Sequence, residues 1–299
     1  MQNVIFILAL LLIGKGLSRL RAFPPETFSV LANFIIYVSL PALILEKIPG
    51  LSISREILAP IVLPWVMLAV SAAAVVGLSR TFRWSRETTG ALLLVVPLGN
   101  TSFLGIPMVE LFFGRAGVPY ALLYDQLGTF LALATYGSIV VAFCAGAESP
   151  TAGRILRKVM TFPPFLAIIV ALATRGLAYP PMVVAMLHDL GLTLVPVVMI
   201  AVGFRMALRL PRATLAPLGW GLGIKLVAAP LAALGFCRLA GWDSEAVRVS
   251  IIEAGMPPQI TAGAVAIAAG LAPELVAALV GYGILVAFAT LPVLYWLLG

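Results

Sequence analysis

Charged residues, cysteine and histidine are all scarce in this chain of 299 residues. Only 10% of the residues are charged, whereas 62% are hydrophobic and the mean hydropathy is +1.11. Soluble domains carry about 25% charged residues, so this composition cannot cover a water-exposed surface and indicates an integral membrane protein. The two cysteines exclude a disulfide scaffold and a cysteine zinc site, and the single histidine excludes a histidine-rich metal centre.

The basic balance of the chain, a formal charge of +7, does not indicate nucleic-acid binding. A nucleic-acid interface gathers Lys and Arg on one face, whereas here they stand in short clusters between apolar runs, the distribution that orients membrane spans. The sequence also has no nucleophile, histidine and acid set and no paired metal-ligand motif at membrane depth. We therefore expect neither an enzyme nor a bound cofactor.

Apolar stretches long enough to cross a bilayer recur along the whole chain and predict an all-α polytopic membrane fold. About 20 apolar residues form a spanning helix, and ten such stretches are present. They cover residues 2–18, 28–45, 57–78, 88–113, 117–144, 155–177, 182–206, 215–237, 245–270 and 273–298. Of the 19 Lys and Arg residues, twelve fall in the connections on one side, which predicts that this side is cytoplasmic and that both termini lie outside. We expect a multi-pass protein of the bacterial inner (plasma) membrane.

The two halves of the chain resemble each other at an offset of 155–157 residues. The matching pairs are Pro24-Pro25 with Pro180-Pro181, Pro41 with Pro196, Leu58-Ala59-Pro60 with Leu215-Ala216-Pro217, and Gly99 with Gly255. We interpret them as a five-helix repeat over residues 1–144, a cytoplasmic linker over 145–153 and a second repeat over 154–299. Because five is odd, the second repeat enters the membrane inverted, an arrangement typical of secondary transporters.

Glycine and proline interrupt the fourth and ninth predicted spans near the middle of the membrane. The interrupting residues are Pro97, Gly99, Gly105 and Pro107 in the fourth span and Gly255, Pro257 and Pro258 in the ninth. Proline lacks a backbone donor and clashes with the preceding turn, so we expect both helices to unwind there. Unwound backbone at this depth is typical of a binding site. Half-helix N-termini favour an anion there, and exposed carbonyls favour a cation.

Five short motifs distributed over the chain are characteristic of one family. The most specific is G-N-T-S-F-L-G-I-P at residues 99–107, followed by L-F-F-G at 111–114. Supporting motifs are S-L-P-A-L at 39–43, G-M-P at 255–257 and T-L-P at 290–292. Together they resemble the auxin efflux carrier family over the whole chain, a group that contains plant auxin exporters and bacterial carriers assigned to malate or malonate.

The resemblance implies a bile-acid-symporter-like fold in which spans 1, 2, 6 and 7 form a scaffold and spans 3–5 and 8–10 form a moving core. In that fold, the crossed helices 4 and 9 hold the substrate. The corresponding positions in this chain are Asn100, Thr101 and Ser102 in the fourth span and Met256, Pro257 and Gln259 in the ninth. Asn100 matches the polar crossover residues of the auxin exporters, whereas Met256 and Pro257, with Gln259 just beyond, depart from them. The implied function is elevator-type secondary active transport of a small organic anion, an auxin-like or a malate- or malonate-like carboxylate. The scaffold helices offer a surface for a homodimer.

Glu253 is the strongest candidate for a coupling residue, because a charge at the bilayer centre costs about 2.5–3.5 kcal/mol. The stretch E-A-G-M at residues 253–256 resembles the Glu-x-Gly-Met stretch of sodium-coupled bile acid symporters, in which the glutamate helps to hold sodium. Either Glu253 binds Na⁺ together with oxygens of Asn100, Thr101 and Gln259, or it carries a proton. Coupling to Na⁺, to H⁺ or to neither stays open, and a sodium-coupled bile-acid-like symporter is an alternative function.

Two further ionisable residues fall within predicted spans. Asp125 and Thr129 are four residues apart and share one face of the fifth helix, so both can point toward the fourth-span interruption. Asp125 either completes the coupling-ion site or forms a structural ion pair with Lys225 of the eighth span. Lys225 either pairs in this way, snorkels toward the interface or attracts an anionic substrate.

The remaining reactive side chains are interpreted as structural. His188 stands beside Asp189 at an interface, where a structural role is favoured over a pH sensor. Cys144 and Cys237 end spans on opposite sides of the membrane, so we expect two unpaired packing residues. A substrate-sensing receptor built on a transporter fold is the alternative of a different functional class.

Overall fold

A computed structural model describes residues 2–51, 55–146, 151–205 and 214–299, and the regular elements in these ranges are helices. The helices are α1 (Gln2–Leu17), α2 (Thr27–Phe34), α3 (Leu40–Lys47), α4 (Leu58–Phe82), α5 (Arg86–Val95), α6 (Ile106–Leu123), α7 (Ser138–Ala145), α8 (Ala152–Met160), α9 (Pro163–Ala173), α10 (Pro181–Leu192), α11 (Leu194–Arg205), α12 (Leu215–Gly223), α13 (Ala229–Leu239), α14 (Glu245–Ala254), α15 (Ile260–Ala268) and α16 (Pro273–Leu297). Part of the predicted linker, and Arg209 and Arg212 of the predicted cytoplasmic side, lie outside the described residues.

Six helical stretches are long and apolar enough to cross a membrane, or seven if one bent pair counts as a single span. They are Thr27–Lys47, Arg55–Phe82, Thr101–Ala145, Pro181–Arg205, Leu215–Leu239 and Pro273–Leu297, with Ala152–Met160 and Pro163–Ala173 as the bent pair. The chain is therefore a multi-pass membrane protein. The count of ten spans, their inverted repeat and their orientation stay predictions.

The stretch Thr101–Ala145 is too long for a single crossing. Its 45 residues would rise roughly 67 Å as one helix, about twice the 30 Å hydrocarbon layer. Gly114 divides the stretch, with a φ of 68° and a ψ of −168°. A positive φ at this point favours glycine, because it has no Cβ.

Wide, π-type turns precede three prolines inside long helices. The turns Ile35–Ser39, Thr101–Gly105 and Ile224–Ala228 end two residues before Pro41, Pro107 and Pro230, respectively. Proline clashes with the carbonyl four residues earlier in a regular helix. A π turn shifts the hydrogen bonding to the fifth residue back, and this gives the proline ring room. The helices therefore continue through these prolines.

The predicted sixth span, 155–177, is instead a bent pair of helices. α8 and α9 meet at an angle of 68°, separated by Thr161 and Phe162. The double proline Pro163-Pro164 explains the bend. Proline suits the first turn of a new helix and disfavours helical backbone in the residue before it.

The helices pack in two layers. In the first layer, α1 packs against α11, α2 against α11, and α3 against α9 and α10. In the second layer, α4 packs against α14, while α5 packs against α7, α15 and α16. The layers meet where α11 contacts the turn Thr101–Gly105 and where α3 contacts α6.

Two glycines allow α1 and α11 to approach closely. A Cβ at Gly14 would overlap the backbone carbonyl of Ile200, and a Cβ at Gly203 would overlap that of Leu11. Small residues at such contacts let two backbones pack directly, which is a main source of helix association in a bilayer. A Cβ at Gly16, on the same helix, would meet no atom within 4 Å.

Candidate functional site

Helical backbone is interrupted inside the fourth and the ninth predicted spans, both of which belong to the second layer. In the fourth predicted span, α5 ends at Val95 and helical backbone resumes at Thr101; in the ninth, α14 ends at Ala254 and α15 begins at Ile260. The unwound segments are therefore 96–100 and 255–259. Each half-helix that follows an interruption begins with backbone N–H groups that have no partner within the helix.

The two unwound segments cross and pair with each other. The Asn100 N–H donates to the Pro257 carbonyl at 2.7 Å, and the Gln259 N–H donates to the Leu98 carbonyl at 3.0 Å. These bonds form an isolated antiparallel bridge around Gly99 and Pro258. Backbone groups released by the interruptions thus satisfy one another, as buried backbone must.

Gly105 and Pro107 do not belong to the interruption, in contrast to the prediction. Gly105 ends the π-type turn, and Pro107 lies in the first turn of α6, where the wide turn accommodates a residue without an N–H. Gly105 has another role: a Cβ there would overlap the carboxylate of Glu253. The absence of a side chain at Gly105 is what lets Glu253 reach the start of the half-helix.

Asn100 and Gln259 are the N-cap residues of the two half-helices that begin at the crossing. Polar N-cap side chains usually accept a hydrogen bond from a first-turn N–H, yet neither side chain does so here. Both amide atoms of Asn100, which is fully buried, and Oε1 of Gln259, which is 8% exposed, lack hydrogen-bond partners among the described residues. A buried polar atom without a partner costs about 1–3 kcal/mol. Among the described residues, both N-caps at the crossing thus leave buried polar atoms unsatisfied.

Glu253 is fully buried, and neither of its carboxylate oxygens has a hydrogen-bond partner in the described part of the chain. It interacts electrostatically with Asp125 and Lys225. A buried carboxyl group is stable only when it is neutral or paired with a cation. The geometry therefore suits a group that exchanges a proton or a metal cation.

Asp125 reaches the fourth-span interruption, as its position on the fifth helix predicts. Its Oδ1 accepts from the Thr101 hydroxyl at 2.5 Å, and its Oδ2 accepts from the Gln126 amide at 2.6 Å. The sequence analysis did not single out Gln126. The signal that could have revealed it is its position, because it is a second polar residue directly after Asp125 in an apolar stretch. Thr129 is buried one turn further on.

Lys225 is buried and bonds to the end of a half-helix. Its Nζ donates to the carbonyl of Ala254 at 3.0 Å, and Ala254 is the last residue of α14. A helix C-terminus carries a partial negative charge that favours a cation. Neither Asp125 nor Glu253 lies within 4 Å of Lys225 as an ion-pair partner, judged over the described residues. The Asp125–Lys225 ion pair considered from the sequence is therefore not formed.

The other predicted side chains are also located. Met256 is fully buried in the ninth-span interruption, next to Pro257. His188 bonds not to its neighbour Asp189 but to Glu46, with Nδ1 and Oε1 3.0 Å apart. Cys144 and Cys237 are free thiols.

Two cavities lie between the layers, at opposite ends of α1 and α11. The first, which we call the Glu46 cavity, is about 300 Å³ and is lined by Ile7, Glu46, Pro107, Arg115, His188 and Val195 among others. The second, the Arg205 cavity, is about 420 Å³ and is lined by Lys15, Val202, Arg205, Ile260, Gly263 and Val280 among others. Ile7 and Lys15 are roughly 12 Å apart along α1, at 1.5 Å per residue. Each cavity thus approaches one of the half-helices from its own side.

Interrupted helices that cross inside an apolar bundle, with cavities at both ends, define the class as membrane transporters. The chain belongs to the family described as Membrane transport protein, which it matches over residues 1–148 and 149–295. This match confirms the resemblance to the auxin efflux carriers that the motif at residues 99–107 predicts.

Two archaeal relatives carry transporter names. An uncharacterized transporter of Methanocaldococcus jannaschii is 29% identical over 216 residues, 69% of each chain. An uncharacterized transporter of Methanothermobacter thermautotrophicus is 27% identical over an alignment of 301 residues, which covers 97% of this chain and 96% of the relative. The family match and both names indicate a transporter. The bacterial inner membrane stays a prediction.

Proposed function

We propose that the protein is a secondary active carrier of a small organic anion, with the substrate bound at the crossing of the two interrupted helices. The observation that carries this proposal is the pair of N-cap side chains, Asn100 and Gln259. Both are buried at the crossing, make no cap bond and present amide atoms that have no partner among the residues the structure describes. Thr101 and Ser102 follow Asn100, and Met256 and Pro257 complete the opposite side.

The polarity of the site favours an anion near the N-caps. The half-helices that begin at Thr101 and Ile260 direct their N-termini at the crossing, and helix N-termini attract negative groups through free N–H donors and a partial positive charge. An uncharged amide donor such as Asn100 adds direction without a permanent counter-charge. A carboxylate fits this set of donors, and auxin-like or malate- or malonate-like acids belong to that class.

Glu253 is the coupling residue in this proposal. Carboxylate and carbonyl oxygens are the ligands of hard cations such as Na⁺. Glu253, Asn100 and Gln259 supply oxygens that have no hydrogen-bond partner in the described ranges of the chain. A proton on Glu253 is the other form of coupling. Asp125 and Thr129 complete the polar surroundings, and Lys225 neutralises the end of α14 beside them.

The proposed movement is an elevator-type displacement of the second layer against the first. Ten spans in two inverted repeats divide into these layers, with spans 1, 2, 6 and 7 as the scaffold and spans 3–5 and 8–10 as the core. The two cavities at opposite ends of the boundary between the layers support alternating access. A dimer through the scaffold is compatible with this arrangement.

Uptake by purified protein in liposomes tests the proposal. A panel of mono- and dicarboxylates is offered with and without a Na⁺ gradient and with and without a pH gradient. We expect saturable uptake of at least one acid, and Glu253→Gln should lower that uptake or its ion dependence at least about tenfold, as the loss of a buried charged ligand implies. Arg248→Gln, in an exposed ion pair with Asp243, is the control. Binding of acids without any movement would instead favour a receptor.

A further inference from the structure

A cluster of five ionisable side chains crosses the boundary between the two layers at the Glu46 cavity. Glu46 and Lys47 belong to α3 and His188 to α10, all in the first layer, whereas Glu110 and Arg115 belong to the second layer. The crossing site does not use any of these residues. These residues line a cavity that also contacts Pro107, in the first turn of α6. We therefore consider what the cavity could bind.

In this cluster, Glu46 has close hydrogen-bond partners, whereas the contacts of Arg115 are longer. Glu46 Oε1 lies 2.8 Å from Lys47 Nζ and 3.0 Å from His188 Nδ1, so this carboxylate already has two close hydrogen-bond partners. Within the described residues, the contacts of Arg115 are long: 3.5 Å from its Nε to Glu110 Oε1 and 3.4 Å from its Nη1 to each ring nitrogen of His188. The Arg115 side chain is 47% exposed. Its guanidinium therefore keeps donors for another partner.

The rest of the cavity is apolar. Its wall includes Leu43, Leu111, Val118 and Val195, and its volume of about 300 Å³ is at the small end of ligand pockets. A planar guanidinium at one end of an apolar cavity matches an organic carboxylate, because Arg binds a carboxylate through two parallel hydrogen bonds while the wall receives the carbon chain. Inorganic phosphate would use the guanidinium and leave the wall uncovered.

We propose that the Glu46 cavity is a capture site for small organic carboxylates, in which Arg115 binds the carboxylate in place of Glu110. The role of this site, which is to concentrate substrate beside the crossing, depends on the proposed carrier function. Its binding chemistry can be tested without transport. Arg115 also faces His188 across the layers, so an acid bound to Arg115 lies next to the imidazole.

The single histidine of the chain supplies a direct probe. Full-length protein with ¹⁵N-labelled histidine, in lipid nanodiscs, gives the signals of one imidazole only. We expect butyrate to shift these signals saturably, at lower concentration than inorganic phosphate at equal ionic strength, and butanol to leave them unchanged. Equal responses to butyrate and phosphate would reduce the site to a general anion contact and overturn the proposal.

Variants of Arg115 test the residue itself. Arg115→Gln should weaken the butyrate response at least about tenfold, as expected for the loss of a charged, bidentate partner, and Arg115→Lys should give an intermediate response. Arg248→Gln removes an arginine with the same 3.5 Å contact to an acid outside the cavity, and should respond as the unmodified protein does. An Arg115→Gln protein that binds butyrate normally would refute the assignment.

Transport kinetics separate this proposal from the carrier function. In liposomes at low salt, Arg115→Gln should raise the half-saturation concentration for the transported acid about three- to tenfold and leave the maximal rate within about twofold. The difference should shrink at high salt, where charges are screened. A lower maximal rate with unchanged half-saturation would make Arg115 part of the moving contact instead. Butyrate binding without any uptake would overturn the carrier function and leave the capture site intact.

Discussion

Replacing Gly105 with alanine should disable the site, because a methyl group there would have to displace the carboxylate of Glu253 from the start of the half-helix. A Cβ at Gly105 would overlap both oxygens and the carboxylate carbon of Glu253, which is fully buried. Forcing extra atoms into a packed interior costs about 1–3 kcal/mol. A free-energy difference of about 1.4 kcal/mol changes an equilibrium constant tenfold. We therefore expect uptake or ion affinity to fall roughly 5- to 150-fold.

The assay compares uptake and thermal unfolding of the unmodified protein with those of four variants: Gly105→Ala, Gly77→Ala, Glu253→Ala and the double variant of Gly105 and Glu253. Gly77→Ala is the matched control, because a Cβ at this helical glycine meets no atom within 4 Å, and it should be neutral or slightly stabilising. Glu253→Ala removes the overlapping carboxylate, so the double variant Gly105→Ala/Glu253→Ala should be as stable as Glu253→Ala alone. Destabilisation that is simply additive in the double variant, or normal uptake by Gly105→Ala, would contradict the contact.

Two further predictions concern helix contacts within each layer. Gly203→Ala should lower the unfolding temperature strongly, because its Cβ would overlap the Leu11 carbonyl and overpacking costs about 1–3 kcal/mol. Gly16→Ala is the control and should leave the unfolding temperature unchanged. Equal unfolding temperatures of the two variants would argue against the close approach of α1 and α11. Lys225→Met should reduce uptake roughly 10- to 150-fold, because it removes a charged hydrogen bond, worth about 1.5–3 kcal/mol, from the Ala254 carbonyl. Lys158→Met, at an exposed position of α8, is the control, and a Lys225→Met protein with the same activity as this control would exclude a role for Lys225.

Features that depend on nearby residues could be predicted from the sequence. Proline and glycine act on their own turn of helix, so the interruptions around Gly99 and Gly255 follow from local chemistry. Hydropathy likewise predicts α16 at 273–298, and the structure has it at Pro273–Leu297. The exception is Pro107, where composition alone does not reveal that a π turn will accommodate the ring.

Features that depend on distant residues could not be predicted in this way. His188 bonds to Glu46, 142 residues away in the sequence, and not to the adjacent Asp189, because packing of α3 against α10 decides which acid the imidazole meets. The sequence predicts Gly105 as a helix breaker, whereas its small size matters because Glu253 reaches it from the second half of the chain. Such roles require the tertiary arrangement of the two layers.

Substrate exchange by an Asn100→Ala protein tests the central claim most directly, namely that the N-caps at the crossing hold the substrate. The acid identified in the liposome panel is used in radiolabelled counterflow. Ser79→Ala is the control, because the buried Ser79 hydroxyl also lacks a partner among the described residues but lies near the end of α4. We expect Asn100→Ala to raise the half-saturation concentration about tenfold or more, as a hydrogen bond to a charged group implies, and Ser79→Ala to leave it unchanged. Unchanged affinity in a folded Asn100→Ala protein would place the substrate elsewhere and exclude the N-caps at the crossing as its binding site.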